Sequence, residues 1–248
     1  MGANAVNTMA ELLSPELENI TNGRALLRIL SNLATERLAR VTATFTPEEI
    51  SNSGDRDEGL SIIEGILQAH HFAMADPYRA ATHNKGVMNG ISAVAVACGQ
   101  DWRAIEAGCH AYVTYSQGRY GSITHWEKDS AGNLVGTIET PMAVGIVGGA
   151  SKVHPVAKAN LDILGVDSAQ ELASVMAAAG LAQNLGALRA LATSGIQKGH
   201  MRLHAKNMAV SAGAVGNEIE KVAQLLISEE GPKTQTRVAE ILEKLRNN

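Results

Sequence analysis

The sequence predicts an α+β protein that is mostly helical and has a few strands. Apolar residues recur at helical spacing along most of the chain, whereas two segments, 39–45 and 121–140, show the alternation and β-branched content of strands. Hydrophobic residues make up 45% of the 248 positions and aromatic residues only 3%. We therefore expect a sizeable core built from Ala, Val, Leu, Ile and Met.

The first half of the chain combines helix signals with one strand. Residues 5–20 carry apolar side chains at amphipathic spacing, and Asn22-Gly23 marks the end of this helix. Residues 39–45 predict a strand. Thr46-Pro47-Glu48-Glu49 then predicts a helix start, because it combines an N-cap, a proline and an acidic first turn. Three more helical patterns follow, at about 59–74, 77–98 and 101–115.

The second half predicts one hairpin and then helices to the end. Asp129-Ser130-Ala131-Gly132 lies between two alternating segments and predicts the hairpin turn. An apolar loop with Gly145, Gly148 and Gly149 precedes a helix that begins near Val153-His154-Pro155. The remaining predicted elements are a long helix or helix pair at 168–196 with weak points at Gly180 and Gly186, a helix at 200–211, a hinge at 211–216 and two short amphipathic helices separated by Gly231-Pro232.

The composition disfavours several classes of protein. A formal charge of −4, from 21 Lys and Arg against 25 Asp and Glu, gives no basic excess for nucleic-acid binding. Cys98 and Cys109 cannot form a disulfide framework and fit a reducing cytosol. No apolar run reaches the roughly 18 residues of a membrane span, and the N-terminus lacks the features of a signal peptide. We expect a soluble cytoplasmic protein with no nucleic-acid or membrane partner.

The densest polar cluster runs from Asp76 to Asn89. On a helix, Lys85 and Asn89 are i,i+4 neighbours on one face. Arg79, His83 and Lys85 together supply donors for an anionic substrate or a developing oxyanion. The same residues also fit a solvated helix start with ordinary surface charges, and spacing alone leaves both interpretations open.

Asp101 stands at the start of the next predicted helix and is a natural N-cap residue. It also follows an apolar run, a position that would bury part of the side chain and favour a cation as its partner. Lys85 lies sixteen residues upstream. A turn between the two helices would bring Lys85 and Asp101 into contact.

Two further features have chemical alternatives. His200 and His204 have a spacing that presents two imidazoles to a metal, but no Glu stands between them in the metalloprotease pattern and no Cys is near. We expect no metal site; a mobile general acid at His200, near the hinge, fits better. The loop Gly145–Gly149 lacks the G-x-G-x-x-G spacing, and both close packing and the approach of a phosphate or pantetheine would explain its glycines.

Four long motifs occur in the order in which one enzyme family carries them. They are HNKGVMNGISAVAVACGQDWRAIEAGCHAY (83–112), ETPMAVGIVGGASKVHP (139–155), GLAQNLGALRAL (180–191) and GIQKGHMRLHAKN (195–207). They resemble hydroxymethylglutaryl-CoA reductase, specifically the bacterial-type class II enzymes. The opening MGANAVNTMAE resembles the family's Asp-Ala-Met-Gly-x-Asn cofactor motif without its first two residues. The resemblance runs from residue 1 to at least 213, and the last 35 residues are similar only in style to the family's mobile helical flap.

The resemblance implies an oxidoreductase of the mevalonate and isoprenoid pathway. Two hydrides from NADH or NADPH reduce the thioester of hydroxymethylglutaryl-CoA to a hemithioacetal, which collapses to an aldehyde and coenzyme A, and then reduce the aldehyde to mevalonate; the reverse direction is equally open. It implies a remnant of the small NAD(P)-binding domain at 1–45, a large catalytic domain at 46–211 and a flap at 212–248. It also implies a homodimer or higher homo-oligomer with sites completed across a tight dimer.

The resemblance assigns roles residue by residue. Lys85 falls on the catalytic lysine that stabilises the carbonyl oxygen, and Asp101 falls on the aspartate that keeps this lysine charged and oriented. His200 falls on the flap histidine that protonates the departing thiolate. The other matching positions bind substrate or nicotinamide: Arg79 for a carboxylate, Asn89 and Gln183 on the substrate side, and Met1, Gly2 and Asn4 for the cofactor.

One catalytic group of the family has no counterpart here. The resemblance places a catalytic glutamate in a Glu-Asn-x-x-Gly segment far upstream of the cofactor motif, and we expect the chain to begin after it. The 248 residues alone should then be nearly inactive and should expose Val6, Met9 and Leu13 on the first helix. The alternative is a catalytically incomplete fragment that acts as an oligomerising or CoA-binding scaffold. A generic nucleotide-binding module is disfavoured because G-x-G-x-x-G is absent.

Overall fold

The computed structural model describes residues 2–149, 153–193, 195–229 and 231–247, with the backbone alone at 196–200, 202, 203 and 247. The chain forms two compact units, Met1–Arg189 and Ala190–Asn248. Helices dominate and the first unit contains a three-stranded sheet, so that the predicted α+β class is confirmed. The predicted division into 1–45, 46–211 and 212–248 stays a prediction.

The helices and strands lie close to their predicted positions. In chain order they are α1 (Gly2–Thr21), β1 (Leu38–Phe45), α2 (Pro47–Ile50), α3 (Arg56–Ala75), α4 (Pro77–Ala97), α5 (Trp102–Gln117), β2 (Thr124–Lys128), β3 (Leu134–Pro141), α6 (Pro155–Leu164), α7 (Ala169–Ala192), α8 (Ile196–Ser211), α9 (Asn217–Ser228) and α10 (Gln235–Asn247). The start predicted at Thr46 carries a full capping box with Glu49. The helix that follows, α2, is only one turn long.

The antiparallel sheet has the strand order β1-β3-β2. The β2–β3 hairpin turns where predicted, because the Asp129 carboxylate accepts hydrogen bonds from the backbone N–H groups of Ala131 and Asn133 at 2.9 and 2.8 Å. Gly136 of β3 leaves room for the ring of Trp126 on β2, since a Cβ at this position would lie 2.2 Å from the indole. The sheet therefore buries Trp126 almost completely.

Helix α4 carries three of the predicted site residues, Arg79, Lys85 and Asn89, and its start is fixed locally. The Asp76 carboxylate accepts a hydrogen bond from the Tyr78 N–H at 3.0 Å, and Pro77 occupies the first helical position. The opposite face of the helix contributes apolar side chains to the core, among them Val87, Met88 and Ile91. One face of α4 is thereby committed to packing and the other is exposed.

Helix α7 approaches α4 closely through glycines. A Cβ on Gly90 would lie 2.4 Å from the Ala179 carbonyl oxygen, and a Cβ on Gly180 would lie 2.7 Å from the Ile91 side chain. Gly180, expected as a weak point in 168–196, is therefore a contact point in one continuous helix. One helix in the described part of the chain, α7, is long and apolar enough to cross a membrane by length and composition. Because α7 packs against α4 in this way, we interpret it as a core helix.

Helix α1 exposes apolar residues, as predicted. Val6, Met9 and Leu13 are 48%, 61% and 59% exposed. The segment that follows runs back along the helix, and the Leu30 N–H donates to the Asn7 side chain at 2.9 Å. This segment exposes further apolar side chains, namely Leu26, Leu27 and Ile29. An apolar surface of this extent favours either a covering partner or aggregation.

The described part of the second unit packs α8, α9 and α10 around a small apolar core. Its buried residues include Ala205, Ala209, Val222, Leu226 and Ile241. The predicted hinge at 211–216 contains Gly213 and Gly216 at φ of 89° and 53°, conformations that favour glycine. Arg246 donates to the Gly213 carbonyl at 2.9 Å and to the Glu218 carboxylate at 2.8 Å. This arginine ties the hinge segment to α10.

Candidate active site

Lys85 and Asn89 project from the exposed face of α4, one turn apart. With the Asn89 amide oriented to satisfy both groups, its oxygen accepts a hydrogen bond from the Lys85 ammonium at 3.3 Å, and its NH₂ group donates to the Lys85 carbonyl at 3.3 Å. The predicted i,i+4 contact is therefore present. It holds the ammonium at the helix surface, where a ligand has access to it.

Arg79 lies between one and two turns before Lys85 on α4 and is half-buried. Burial lowers the pKa of its guanidinium. Arg79 makes no hydrogen bond or ion pair with any residue that the structure describes, whereas Arg237 and Arg246 each bind a glutamate. A partly desolvated cation without an anionic partner is a favourable place for an anionic ligand.

On the side of α4 away from Lys85, His83 enters a buried hydrogen-bond network. Its Nε2 lies 2.8 Å from Ser122 Oγ and 2.9 Å from Thr124 Oγ1. Asn184 of α7 accepts from the Thr124 hydroxyl at 2.9 Å and from the Trp126 indole N–H at 2.8 Å. The network therefore fixes α4 against α7 and the sheet.

The hydroxyl groups of this network determine the tautomer of His83. Ser122 donates its proton to the Thr124 carbonyl at 2.7 Å, and Thr124 donates its own to Asn184. Both hydroxyl oxygens are then acceptors toward the imidazole, which places the proton on Nε2 and leaves Nδ1 bare, buried and without a partner among the described residues. The other tautomer has more conflicts: it makes Nδ1 a buried donor without an acceptor and turns two oxygen contacts into acceptor pairs. In the assigned tautomer one contact, 3.2 Å from the Asn184 amide nitrogen to Nε2, joins two donors.

Asn84, the next residue, ties the same turn of α4 to the segment before β2. Its amide donates to the Gly121 carbonyl at 2.8 Å and accepts from the Ile123 N–H at 2.9 Å. Both bonds are buried. Buried hydrogen bonds therefore hold two consecutive residues of α4, His83 and Asn84, against the rest of the first unit. Lys85 is the next residue and lies on the same rigid turn.

The interpretation of His83 as a donor for a substrate is wrong. His83 is buried, and its single N–H group is used inside the network. The sequence analysis missed the anchoring roles of His83, Asn84 and Asn184. A signal was present, because the i+4 neighbours of His83 and Asn84 are Val87 and Met88, which are apolar and indicate the buried face.

Burial keeps two histidines of this region neutral. Desolvation, together with the charges of Arg79 and His70, lowers the pKa of His83 to about 3. Desolvation, with smaller effects of His125 and His71, lowers the pKa of His70 to about 4. In the unfolded chain both imidazoles take up a proton near the ordinary value of about 6.5.

We expect acid to destabilise the first unit. Below about pH 6.5 the unfolded chain binds protons on His83 and His70 that the folded chain does not bind, so the free energy of unfolding falls as the pH falls toward about 4, and it is fully restored above about pH 7. Each histidine should lower the folding equilibrium constant about tenfold per pH unit in this window. Urea denaturation followed by tryptophan fluorescence, to which the buried Trp126 and the exposed Trp102 both contribute, measures the slope. His83→Gln should remove the contribution of about one proton, and an unchanged slope would contradict the assignment.

Lys85 and Asp101 do not form the predicted ion pair. Asp101 is exposed, not partly buried, and caps α5 by accepting a hydrogen bond from the Ala104 N–H at 3.1 Å. Lys85 precedes the end of α4 at Ala97 by a distance of about 18 Å along the axis, at roughly 1.5 Å per residue. Asp101 follows that end, so the turn between the helices separates the two residues of one chain. The expected contact within one chain is therefore wrong.

Gln100 joins this turn to the glycine loop after β3, a role that the sequence analysis missed. Its buried amide donates to the Gly145 carbonyl at 2.9 Å and accepts from the Gly145 N–H at 3.0 Å. A Cβ on Gly145 or Gly148 would meet no atom of the described residues within 4 Å, so close packing against these residues does not explain the two glycines. Gly148 and Gly149 have φ of 80° and 64°, which favour glycine. The backbone N–H and carbonyl of Gly145 are both bonded to Gln100, and the missing side chain of Gly145 leaves space beside the turn that carries Asp101.

Gln183 is exposed on α7 next to the face of α4 that carries Asn89. A Cβ added to Gly90 would lie only 3.0 Å from the Cβ of Gln183, so the two positions are in close contact. Gly90 directly follows Asn89, and the packing of α7 on α4 therefore brings Gln183 to the edge of the same face. The structure groups Arg79, Lys85, Asn89 and Gln183 in one region of the first unit.

The predicted cofactor residues lie at the start of α1. Gly2 and Asn4 are exposed in its first turn, which contains no acidic residue. A Cβ on Gly2 would lie 3.2 Å from the Arg37 guanidinium. Met1 lies outside the described residues. The backbone of His200 belongs to α8 in the second unit, and its side chain lies outside the described part of the chain.

The surface of α4 that carries Arg79, Lys85 and Asn89 is its cationic face, and its two positively charged side chains are suited to an anionic ligand. A family model described as hydroxymethylglutaryl-coenzyme A reductase matches residues 1–205. The chain belongs to this family, and the resemblance predicted from its motifs is confirmed.

Individual proteins that are similar to this chain are also named as hydroxymethylglutaryl-coenzyme A reductases. A 3-hydroxy-3-methylglutaryl-coenzyme A reductase of Archaeoglobus fulgidus is 55% identical over 247 residues, which cover 100% of this chain and 54% of the relative. A probable reductase of the same name from Borreliella burgdorferi is 36% identical over 205 residues, 82% of this chain and 46% of the relative. The class II enzyme of Streptococcus pneumoniae, solved bound to NADPH in open conformations, matches with a TM-score of 0.74 and 44% identity over 99% of this chain and 58% of that one. The chain spans about half the length of the curated relatives it matches.

Proposed function

We propose that the chain supplies substrate-binding and catalytic residues of a cytoplasmic class II hydroxymethylglutaryl-CoA reductase in the mevalonate pathway. The reaction reduces the thioester to a hemithioacetal, releases coenzyme A from it to give an aldehyde, and reduces the aldehyde to mevalonate, or runs in reverse. The family match over residues 1–205 supports this, because it includes α4 and α5.

One observation carries the proposal: α4 presents a half-buried Arg79 without a partner among the described residues and an accessible Lys85 on neighbouring parts of its surface. The substrate has a carboxylate at one end of a five-carbon acyl chain and a thioester carbonyl at the other. Arg79 would bind the carboxylate with two parallel N–H donors. Lys85 would bind the carbonyl oxygen. The Cα atoms of Arg79 and Lys85 are about 9 Å apart along the axis. The two long side chains can lean toward each other, so that the distance between their charged ends matches the length of the acyl chain.

Lys85 would act where charge develops during reduction. Its ammonium stabilises the carbonyl oxygen as that oxygen becomes negative, and it does so without reorganisation because Asn89 already orients it at 3.3 Å. The buried bonds of His83 and Asn84 hold the preceding turn in place. His200 would protonate the coenzyme A thiolate, whose thiol has a pKa of about 8.5.

The first turn of α1 suits a nicotinamide nucleotide. It is exposed and free of acidic residues, and Arg37 lies beside Gly2. The N–H groups at the start of a helix attract anionic groups such as phosphates. Gly2 and Asn4 would therefore hold NADH or NADPH, in agreement with a family relative whose structure was solved bound to NADPH. When bound, the reduced nicotinamide supplies the hydride.

Asp101 would reach Lys85 from a second copy of the chain. Within one chain about 18 Å of α4 lies between Lys85 and the end of the helix at Ala97, and Asp101 lies beyond that end. A two-fold symmetric dimer that places the α4–α5 turn of one copy beside Lys85 of the other would bring them together twice. This supports a homodimer, or a higher homo-oligomer built from such pairs.

A CoA-binding or oligomerising scaffold is the second candidate function. The exposed apolar residues of α1 and the segment after it favour this alternative, because such a surface serves assembly. A scaffold of this kind would bind coenzyme A thioesters without distinguishing their acyl groups. A reductase would recognise the distal carboxylate.

Replacing Arg79 by glutamine should abolish the preference for an acyl group with a distal carboxylate. Isothermal titration calorimetry on the 248-residue chain, under conditions in which light scattering detects no aggregate, compares hydroxymethylglutaryl-CoA with acetyl-CoA, which lacks that carboxylate. The unsubstituted chain should bind hydroxymethylglutaryl-CoA roughly 10–100-fold more tightly, equivalent to about 1.5–3 kcal/mol for a charge-assisted hydrogen bond. Arg79→Gln should bind the two thioesters alike.

Arg119→Gln is the matched control, because Arg119 is an exposed arginine outside α4. It should leave the preference unchanged. Equal binding of both thioesters by the unsubstituted chain would overturn the reductase proposal and favour the scaffold.

A further inference from the structure

Gly86 lies in the middle of the cationic face of α4. It is seven residues after Arg79, four after Thr82 and three before Asn89, spacings that place all four on neighbouring parts of one helix surface. Gly86 is half-buried. A Cβ at this position would meet no atom of the described residues within 4 Å. The space directly above this glycine is open.

Neither packing nor backbone conformation accounts for a glycine at this position. Gly90, one turn later, is required because a Cβ would collide with the Ala179 carbonyl oxygen at 2.4 Å. Gly86 has no such neighbour, and its backbone is helical without a positive φ. A glycine inside a helix is destabilising relative to alanine. The missing side chain therefore lowers the stability of α4, and no contact with the described residues compensates for it.

We propose that Gly86 determines acyl specificity by leaving room for the branched middle carbon of the substrate. The inference rests on the proposed function. A substrate whose carboxylate binds Arg79 and whose carbonyl oxygen binds Lys85 lies across the surface between them, which Thr82 and Gly86 form. Its middle carbon carries both a methyl and a hydroxyl group and is the widest point of the acyl chain. Thr82, which is exposed, has its hydroxyl on the same surface; the hydroxyl donates to the Tyr78 carbonyl at 3.5 Å, and its oxygen can accept a further hydrogen bond.

Gly86→Ala separates stability from binding. The melting temperature of the 248-residue chain should rise by about 2–4 °C, because alanine favours the helix and meets no atom. Hydroxymethylglutaryl-CoA should bind about tenfold more weakly by calorimetry, because the added methyl group crowds the branched carbon. Glutaryl-CoA has the same two ends and an unsubstituted middle carbon, and its affinity should be the same for Gly86→Ala and the unsubstituted chain.

Gly186→Ala is the matched control. Gly186 also lies inside a helix, is exposed and has no atom within 4 Å of a Cβ. It should give the same rise in melting temperature with unchanged affinity. The inference is overturned if Gly86→Ala lowers the melting temperature, binds hydroxymethylglutaryl-CoA normally or loses glutaryl-CoA equally, or if Gly186→Ala weakens binding as much. These results leave the reductase proposal intact. An unsubstituted chain that does not prefer hydroxymethylglutaryl-CoA to acetyl-CoA overturns the proposed function, and this inference with it.

Discussion

Replacing Lys85 by methionine should lower kcat for hydroxymethylglutaryl-CoA reduction about 10²–10³-fold, with a smaller change in KM. Methionine keeps most of the apolar stem and removes the ammonium that stabilises the developing oxyanion. The test uses a chimera in which these 248 residues replace the segment that they match in the Archaeoglobus fulgidus relative. The identity of 55% over 247 residues favours a correct fit between the two parts. Oxidation of NADPH or NADH measures the turnover.

Lys128→Met is the control for the loss of a lysine charge, since Lys128 lies on β2 and pairs with Glu64 at 3.7 Å on the surface. It should keep full activity. Asp101→Asn should cause a loss similar to that of Lys85→Met. Mixing the two inactive chains should restore about a quarter of the activity, because half of the dimers are mixed and each mixed dimer has one intact site of two. No recovery would place both residues of a site in one chain and contradict the argument for two copies.

Helix starts in the first unit could be predicted because their signals are local. Asp76-Pro77 places the start of α4, and the Thr46 capping box places the start of α2. The end of α2 also had a local signal that the sequence analysis missed, the turn residues Ser51-Asn52-Ser53-Gly54, with Gly54 at a φ of 84°. Whether α7 is one helix or two depends on what covers Gly180. That contact with Ile91 joins residues about 90 positions apart, and nothing in the local sequence encodes it.

In the candidate site, too, contacts between residues close in sequence could be predicted, whereas contacts between distant residues could not. The Lys85–Asn89 contact follows from helical spacing alone. The bonds of His83 to Ser122 and of Gln100 to Gly145 join residues 39 and 45 positions apart, so spacing could not reveal them. The expected Lys85–Asp101 contact failed for a related reason. A separation of sixteen residues predicts two helices, but only the actual position of the turn decides which residues it brings together.

The 248 residues alone should reduce hydroxymethylglutaryl-CoA at least about 10²–10⁴-fold more slowly than the chimera. The resemblance implies a catalytic glutamate that these residues do not supply, and loss of a proton donor has this typical cost. Misplacement of the nicotinamide would add to it. The exposed Val6, Met9 and Leu13 should also make the short chain prone to aggregate, as light scattering at micromolar concentration would detect.

The two causes of inactivity can be separated by repairing one of them. A short chain with Val6, Met9 and Leu13 replaced by glutamine should scatter less light, since these side chains are exposed and their substitution removes apolar surface without opening the core. It should remain inactive, because the glutamate is still absent. Recovery of turnover in this soluble variant, or turnover by the short chain comparable to that of the chimera, would show that these residues supply the carbonyl proton themselves. The roles proposed for Lys85, Asp101 and His200 would then have to be reassigned.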